Sequence, residues 1–114
     1  MGQMELISQS ATALMPLRAG VTQIVVARAY GVTLDEMCAA TRRTSQTAFA
    51  RQVAMYLAHI VFSISINDVA QAFARDRSTV CYAVQRVEAL REDPDFDHTL
   101  GWLESVVRAV AERL

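Results

Sequence analysis

The chain has 114 residues, 53% of them hydrophobic, with eleven arginines, no lysine, twelve acidic residues and a formal net charge of −1. That length fits one domain able to bury a core without disulfides or a metal, and the apolar content excludes a disordered chain. No apolar run approaches the ~20 residues needed to cross a bilayer, and Met1-Gly2-Gln3-Met4-Glu5 lacks the basic start of a signal peptide, so a cytoplasmic protein away from membranes is expected.

Residues 1–18 read as a short helix or a loose arm that stops before Pro16. Val21, Ile24, Val25 and Ala29 have helical spacing, and Gly31 looks like the stop. Thr33-Leu34-Asp35-Glu36 fits a capping box ahead of a short helix to about Ala39. Thr41 to Gln46, with Arg42 and Arg43, lacks any apolar residue and reads as an exposed loop. Thr47 to Phe62 is the clearest helix, with an apolar stripe of Ala50, Val53, Ala54, Leu57, Ile60 and Val61. Ser65 can cap the next helix, in which Ile66, Val69, Ala70 and Phe73 share a face. After the turn Ala74-Arg75-Asp76, with Asp76 as N-cap, a helix to Arg91 buries Val80, Ala83, Val84, Val87 and Leu90. Pro94 ends that region, and a last amphipathic helix from Asp97 carries Leu100, Leu103, Val106, Val107 and Val110. The fold class is all-α, one domain of five or six helices. Residues 19–93 form its body and residues 94–114 a helix packed upon it.

Charge is divided along the chain. Arg18 to Arg86 holds eight arginines against four acids, and Val87 to the end holds seven acids against three arginines. A local basic face, not the overall balance, sets affinity for phosphate. Cys38 and Cys81 read as reduced thiols. Together with His59 and His98 they show no ligand pair at metal spacing, so neither metal nor cofactor is expected.

Two short helices joined by a tight turn make a helix-turn-helix candidate. Ala70 stands where the helices cross, and Val69, Phe73, Val80 and Ala83 fill the apolar places around it. Ala74 stands where glycine is usual and Arg75 where an apolar residue is usual. With the valines inward, Arg77, Ser78, Cys81, Tyr82 and Gln85 point outward, with Thr79 at the edge. A solvated face is usually richer in Glu and Lys, whereas Arg, Ser and Thr suit base edges.

At these residues the chain resembles the C-terminal DNA-binding domain of the bacterial replication initiator DnaA. Ala50-Arg51-Gln52-Val53-Ala54-Met55-Tyr56-Leu57-Ala58 is similar to that family's long-helix signature. Phe73-Ala74-Arg75-Asp76-Arg77-Ser78-Thr79-Val80 is similar to its recognition motif, Phe-Gly-Gly-Arg-Asp-His-Thr-Thr-Val. The separation of the blocks agrees to within one residue, and the match runs from about Val21 to Arg91. The resemblance implies a DnaA domain IV-like, Trp-repressor-like fold and a nucleoid-associated protein. It implies that Arg43, beside Arg42, enters the minor groove and that Asp76, Arg77, Ser78 and Thr79 read the major groove beside Arg75 and Tyr82. It implies that Ile66 and Asn67 touch bases, and that Arg51, Gln52 and Arg86 touch phosphates. The turn is one residue short, Arg77 replaces a histidine and Asn67 a proline, which bears on the identity of the DNA site.

The chain carries no phosphate-binding loop and is too short for an ATPase domain, so no ATP and no complete initiator are expected. No nucleophile motif or paired-carboxylate cluster suggests an enzyme. The expected function is sequence-specific binding of double-stranded DNA by a stand-alone regulator of transcription or replication initiation. The alternative is a protein-interaction module on the same fold, its acidic C-terminal helix taking a partner or a second copy.

Overall fold

A computed structural model describes residues 2–39 and 44–114, with side chains from Leu14 onward. The described residues form α1 (Gly2–Tyr30), α2 (Leu34–Cys38), α3 (Ser45–Phe62), α4 (Ile66–Phe73), α5 (Arg77–Leu90) and α6 (Pro94–Glu112). None of these helices is long and apolar enough to cross a membrane.

α3 is the hub, touching each of the other five helices. Its Val53 to Ala58 are six consecutive buried residues, so the helix is enclosed rather than packed along one stripe. Ala50, Ala54 and Ala58, one turn apart and fully buried, let neighbouring helices approach closely. The stripe frays at its end, where Ile60 is 41% exposed. α1 lays Ala19, Val26 and Ala27 into the core, α5 Val80, Ala83 and Val87, and α6 Leu100, Leu103 and Val107. Val84, Val106, Leu90 and Val110, all expected inside, are only partly covered or exposed.

Helix boundaries follow capping chemistry. The break expected at Pro16 does not occur. α1 is one helix through Pro16, which lies exposed and removes a single backbone N–H. Gly31, at φ 66°, ends it as expected. Thr33 and Glu36 pair as foreseen: the Glu36 N–H donates to the Thr33 hydroxyl (3.1 Å), which donates to Glu36 Oε1. The other carboxylate oxygen accepts from the buried Thr47 hydroxyl, fastening α2 to the start of α3. Thr44 caps α3 through the Thr47 N–H (3.0 Å), so the helix opens two residues before the expected Thr47. Ser65 caps α4. Asp76 stands at the N-cap of α5 but makes no side-chain cap bond. Pro94 begins α6 instead of merely ending α5, a place where its missing N–H costs nothing.

Two arginines hold the fold. Arg51 is 7% exposed; its Nε donates to the Met37 carbonyl (3.1 Å) and its NH2 to the Glu36 carbonyl (2.7 Å), tying α2 to α3. Arg91 closes α5 and bonds Asp97 (2.6 Å) and Glu104 (2.6 Å) of α6 and the Tyr56 hydroxyl (3.0 Å) of α3. Tyr56 in turn donates to Glu88. Burial opposes the charge on Arg91, but its bonds to Asp97, Tyr56 and Glu104 outweigh burial and push its pKa above the usual arginine value. Burial, with the Glu88 bond, pushes the Tyr56 phenol up.

Two outcomes test this architecture. Arg51→Ala leaves the Met37 carbonyl without its donor, whereas the Glu36 carbonyl keeps the Ala39 N–H; an unsatisfied buried polar group costs about 1–3 kcal/mol, so a urea melt should show a loss of about 1–3 kcal/mol. Ala74 sits at φ 53°, in the left-handed region. Ala74→Gly should therefore stabilise the domain by about 0.5–1 kcal/mol; an unchanged or lower melting midpoint would contradict the turn geometry.

Candidate nucleic-acid interface

α4 and α5 form a helix-turn-helix. The turn closes as a Schellman motif: Arg75 N–H donates to the Ala70 carbonyl (2.9 Å) and Ala74 N–H to the Gln71 carbonyl (3.2 Å), with Ala74 left-handed. A single left-handed residue thus does what a glycine pair would do, which accounts for a turn one residue shorter. Val69, Ala70 and Phe73 of α4 and Val80, Ala83 and Val87 of α5 are buried together. Arg77, Ser78, Thr79, Tyr82 and Gln85 are exposed on the opposite side of α5, with Cys81 half-covered among them. Tyr82 is 61% exposed, a large aromatic surface for a side chain with a buried helix behind it.

A groove runs between α5 and the first half of α3, bordered by Ser45, Gln52, Thr79, Tyr82 and Arg86, with Arg51 and Arg75 also on its lining. Arg86 lies over the Phe49 ring (5.4 Å) and its NH1 donates to Gln52 Oε1 (2.7 Å). With its oxygen engaged, Gln52 offers its amide N–H groups as donors. Gln52 and Arg86, from different helices, are therefore one unit on the groove wall.

The expected site residues divide three ways. Arg77, Ser78, Thr79, Tyr82 and Arg86 are exposed on one helix, Gln52 faces them across the groove, and Asp76 is exposed at their head. Asn67 is exposed and Ile66 half-buried at the start of α4. Arg51, expected on a phosphate, is buried and spent on the carbonyls of α2. Arg75, expected on DNA, is half-buried and its NH2 donates to the Ala39 carbonyl. Arg42 and Arg43 lie outside the described residues. Gln85, expected to point outward, does so, and Ser45 joins the groove from the start of α3. The Thr44/Thr47 spacing of a helix cap was the signal that would have placed Ser45 at the head of α3. His59 is satisfied, its Nδ1 2.6 Å from the Ile64 carbonyl.

Residues 21–87 match the family model described as the bacterial dnaA protein helix-turn-helix. The chromosomal replication initiator protein DnaA of Aquifex aeolicus (strain VF5) is 38% identical over 81 residues, 69% of this chain and 20% of that protein. The DnaA of Anaplasma marginale (strain St. Maries) is 41% identical over 75 residues, 65% of this chain and 16% of that protein. This chain thus spans about a fifth of the length of these relatives. Among solved structures, a DNA replication initiation factor superposes with TM-score 0.80 at 29% identity, over 93% of this chain and 35% of the other. AMPPCP-bound DnaA from Aquifex aeolicus superposes with TM-score 0.66 at 33% identity, over 78% of this chain and 27% of the other. The chain belongs to the bacterial DnaA helix-turn-helix family, a family of DNA-binding domains.

Proposed function

We propose that the protein binds double-stranded DNA sequence-specifically, with α5 in the major groove, as a regulator of transcription or replication initiation. The observation that carries this reading is the split of α5. Val80, Ala83 and Val87 are fully buried, while Arg77, Ser78, Thr79 and Tyr82 project from the opposite face. A recognition helix inserts such a face, N-terminal end first, into the groove. Ser78 and Thr79 take several base edges, and Arg77 brings a charged fork of donors. Arg86 and Gln52, on the groove wall, are the phosphate contacts of this reading, and Asn67 and Ile66 reach the duplex from the head of α4. In this reading Arg43, with Arg42 beside it on the DNA, enters a minor groove, where the negative potential of A·T-rich segments attracts arginine. Asp76, free of a cap bond, adds acceptors beside these donors.

A second reading, a partner-binding module, draws on α6 and the residues just after it, where Trp102 is 60% and Leu114 62% exposed. A second copy or another protein would cover that helix.

Two experiments test the DNA reading. The protein should bind a random-sequence duplex at low salt and lose it as salt rises, with the log–log slope counting phosphates neutralised; failure to bind any duplex would favour the partner module. Arg77 stands where the family motif carries histidine. A guanine offers O6 and N7 to its fork, so sites selected by wild type should carry a guanine that Arg77→His no longer selects, a discrimination of about 1–3 kcal/mol. Identical selected sites and identical salt slopes would remove Arg77 from the interface.

A further inference from the structure

The turn between α4 and α5 has two fastenings. The first is the local closure at Ala74. The second is long-range: the NH2 of Arg75 donates to the carbonyl of Ala39, 36 residues away, while its NH1 donates to the Ala74 carbonyl (3.3 Å). Ala39 is the C-cap of α2. The carbonyls of Glu36 and Met37, just before it, accept from Arg51. Two arginines, one from the core helix and one from the turn, thus converge on the end of a five-residue helix: the Met37 and Ala39 carbonyls take their donors from them, while the Glu36 carbonyl accepts from both Arg51 and the Ala39 N–H. Both bring positive charge to the negative end of that helix.

The local closure fixes only the shape of the turn. The Arg75 tether fixes where the turn sits relative to α2, and α5 begins two residues later at Arg77. A guanidinium can serve both ends at once, because its planar fork spans the carbonyls of Ala39 and Ala74. A lysine at the same place would offer one compact ammonium. Half-buried on the lining of the groove, Arg75 gives one N–H of each terminal nitrogen to a backbone carbonyl, which fixes the direction of its side chain toward α2.

We propose that Arg75 is a positioning residue for DNA recognition, holding the head of α5 at a fixed place against α2, and not a contact to DNA. This rests on the reading that α5 enters the major groove. A misplaced recognition helix loses base contacts before it loses phosphate attraction, so the mark of a positioning residue is lost specificity at an unchanged salt slope.

The experiment compares wild type, Arg75→Ala and Arg75→Lys on two duplexes: the sequence selected by the wild-type protein and a random sequence. Arg75→Ala should weaken the selected duplex by about tenfold or more, the scale of one good base contact, while the random duplex changes by no more than about twofold. The salt slope on both should stay at the wild-type value, and Arg75→Lys should recover only part of the loss. A direct phosphate contact predicts otherwise: equal losses on both duplexes, a salt slope smaller by about one, and full recovery by lysine. That pattern, or unchanged binding, overturns the proposal. Melting curves fix a temperature at which all three proteins are folded. Amide spectra of the DNA-free proteins give a separate readout. Arg75→Ala should shift the resonances of Cys38, Ala39 and Arg77 together, and unshifted resonances overturn the tether. A wild-type chain that binds no duplex fails the DNA reading and removes the recognition role with it, while the DNA-free spectra still decide the tether.

Discussion

The close packing made possible by the alanines of α3 is what the rest of the domain depends on. Ala50, Ala54 and Ala58 have no exposed surface, and every other helix rests on the helix that carries them. An isolated eight-residue helix such as α4 is marginal in water. It is held by Val69, Ala70 and Phe73, which join the same core as Val80, Ala83 and Val87 of α5. The placement of the recognition face is thus a consequence of core packing: the valines that turn inward dictate which residues turn outward. A larger side chain at Ala54 would push α3's neighbours apart and move α5 without touching its surface.

Arginine does two different jobs here. Arg51, Arg75 and Arg91 are spent on the protein: two satisfy the carbonyls of α2, and the third joins α3, α5 and α6. Arg77 projects from the open end of α5, and Arg86, braced by Phe49 and Gln52, borders the groove. The guanidinium suits both jobs because its donors are fixed in a plane and its charge does not titrate away. Counting arginines therefore overstates a basic face unless the structural ones are set aside.

The helices were legible because apolar spacing and caps are local. The stripe of α3, the capping box at Thr33, the Ser65 cap and the buried valines of α5 are read from residues three or four apart, and the helix-turn-helix follows from them. What was not legible depends on residues far apart in sequence. Nothing near Arg51 or Arg75 signals that their partners are carbonyls of α2. The Tyr56–Arg91 contact spans 35 residues. Enclosure of α3 on several sides is likewise a property of the assembly, invisible in the single stripe that periodicity finds. Pro16 misled for a different reason: proline's cost is a fixed few kcal/mol, about 3 in a helix interior, and α1 continues through it. The outward face of α5 was readable because it is the complement of the buried one, whereas Arg75 was not, because its direction is set by the left-handed turn at Ala74.

The near-neutral overall charge is reconciled with the DNA reading by where the acids are employed. Asp93 caps α6 by accepting the Asp95 N–H, and Asp95 and Asp97 lie in that helix's first turn, where the dipole favours negative charge. Asp97 and Glu104 bond Arg91, and Glu88 accepts from Tyr56. Five of the seven acids that follow Val87 thus have structural work in the corner where α5 meets α6. Glu88 stands eleven residues beyond Arg77, which is about 16 Å along a helix, or about two Debye lengths at physiological salt. At that distance solvent screens most of the field of Glu88 from the head of α5. The C-terminal half can therefore be strongly acidic for the sake of the fold while the head of α5, where Arg77 stands, keeps its positive charge.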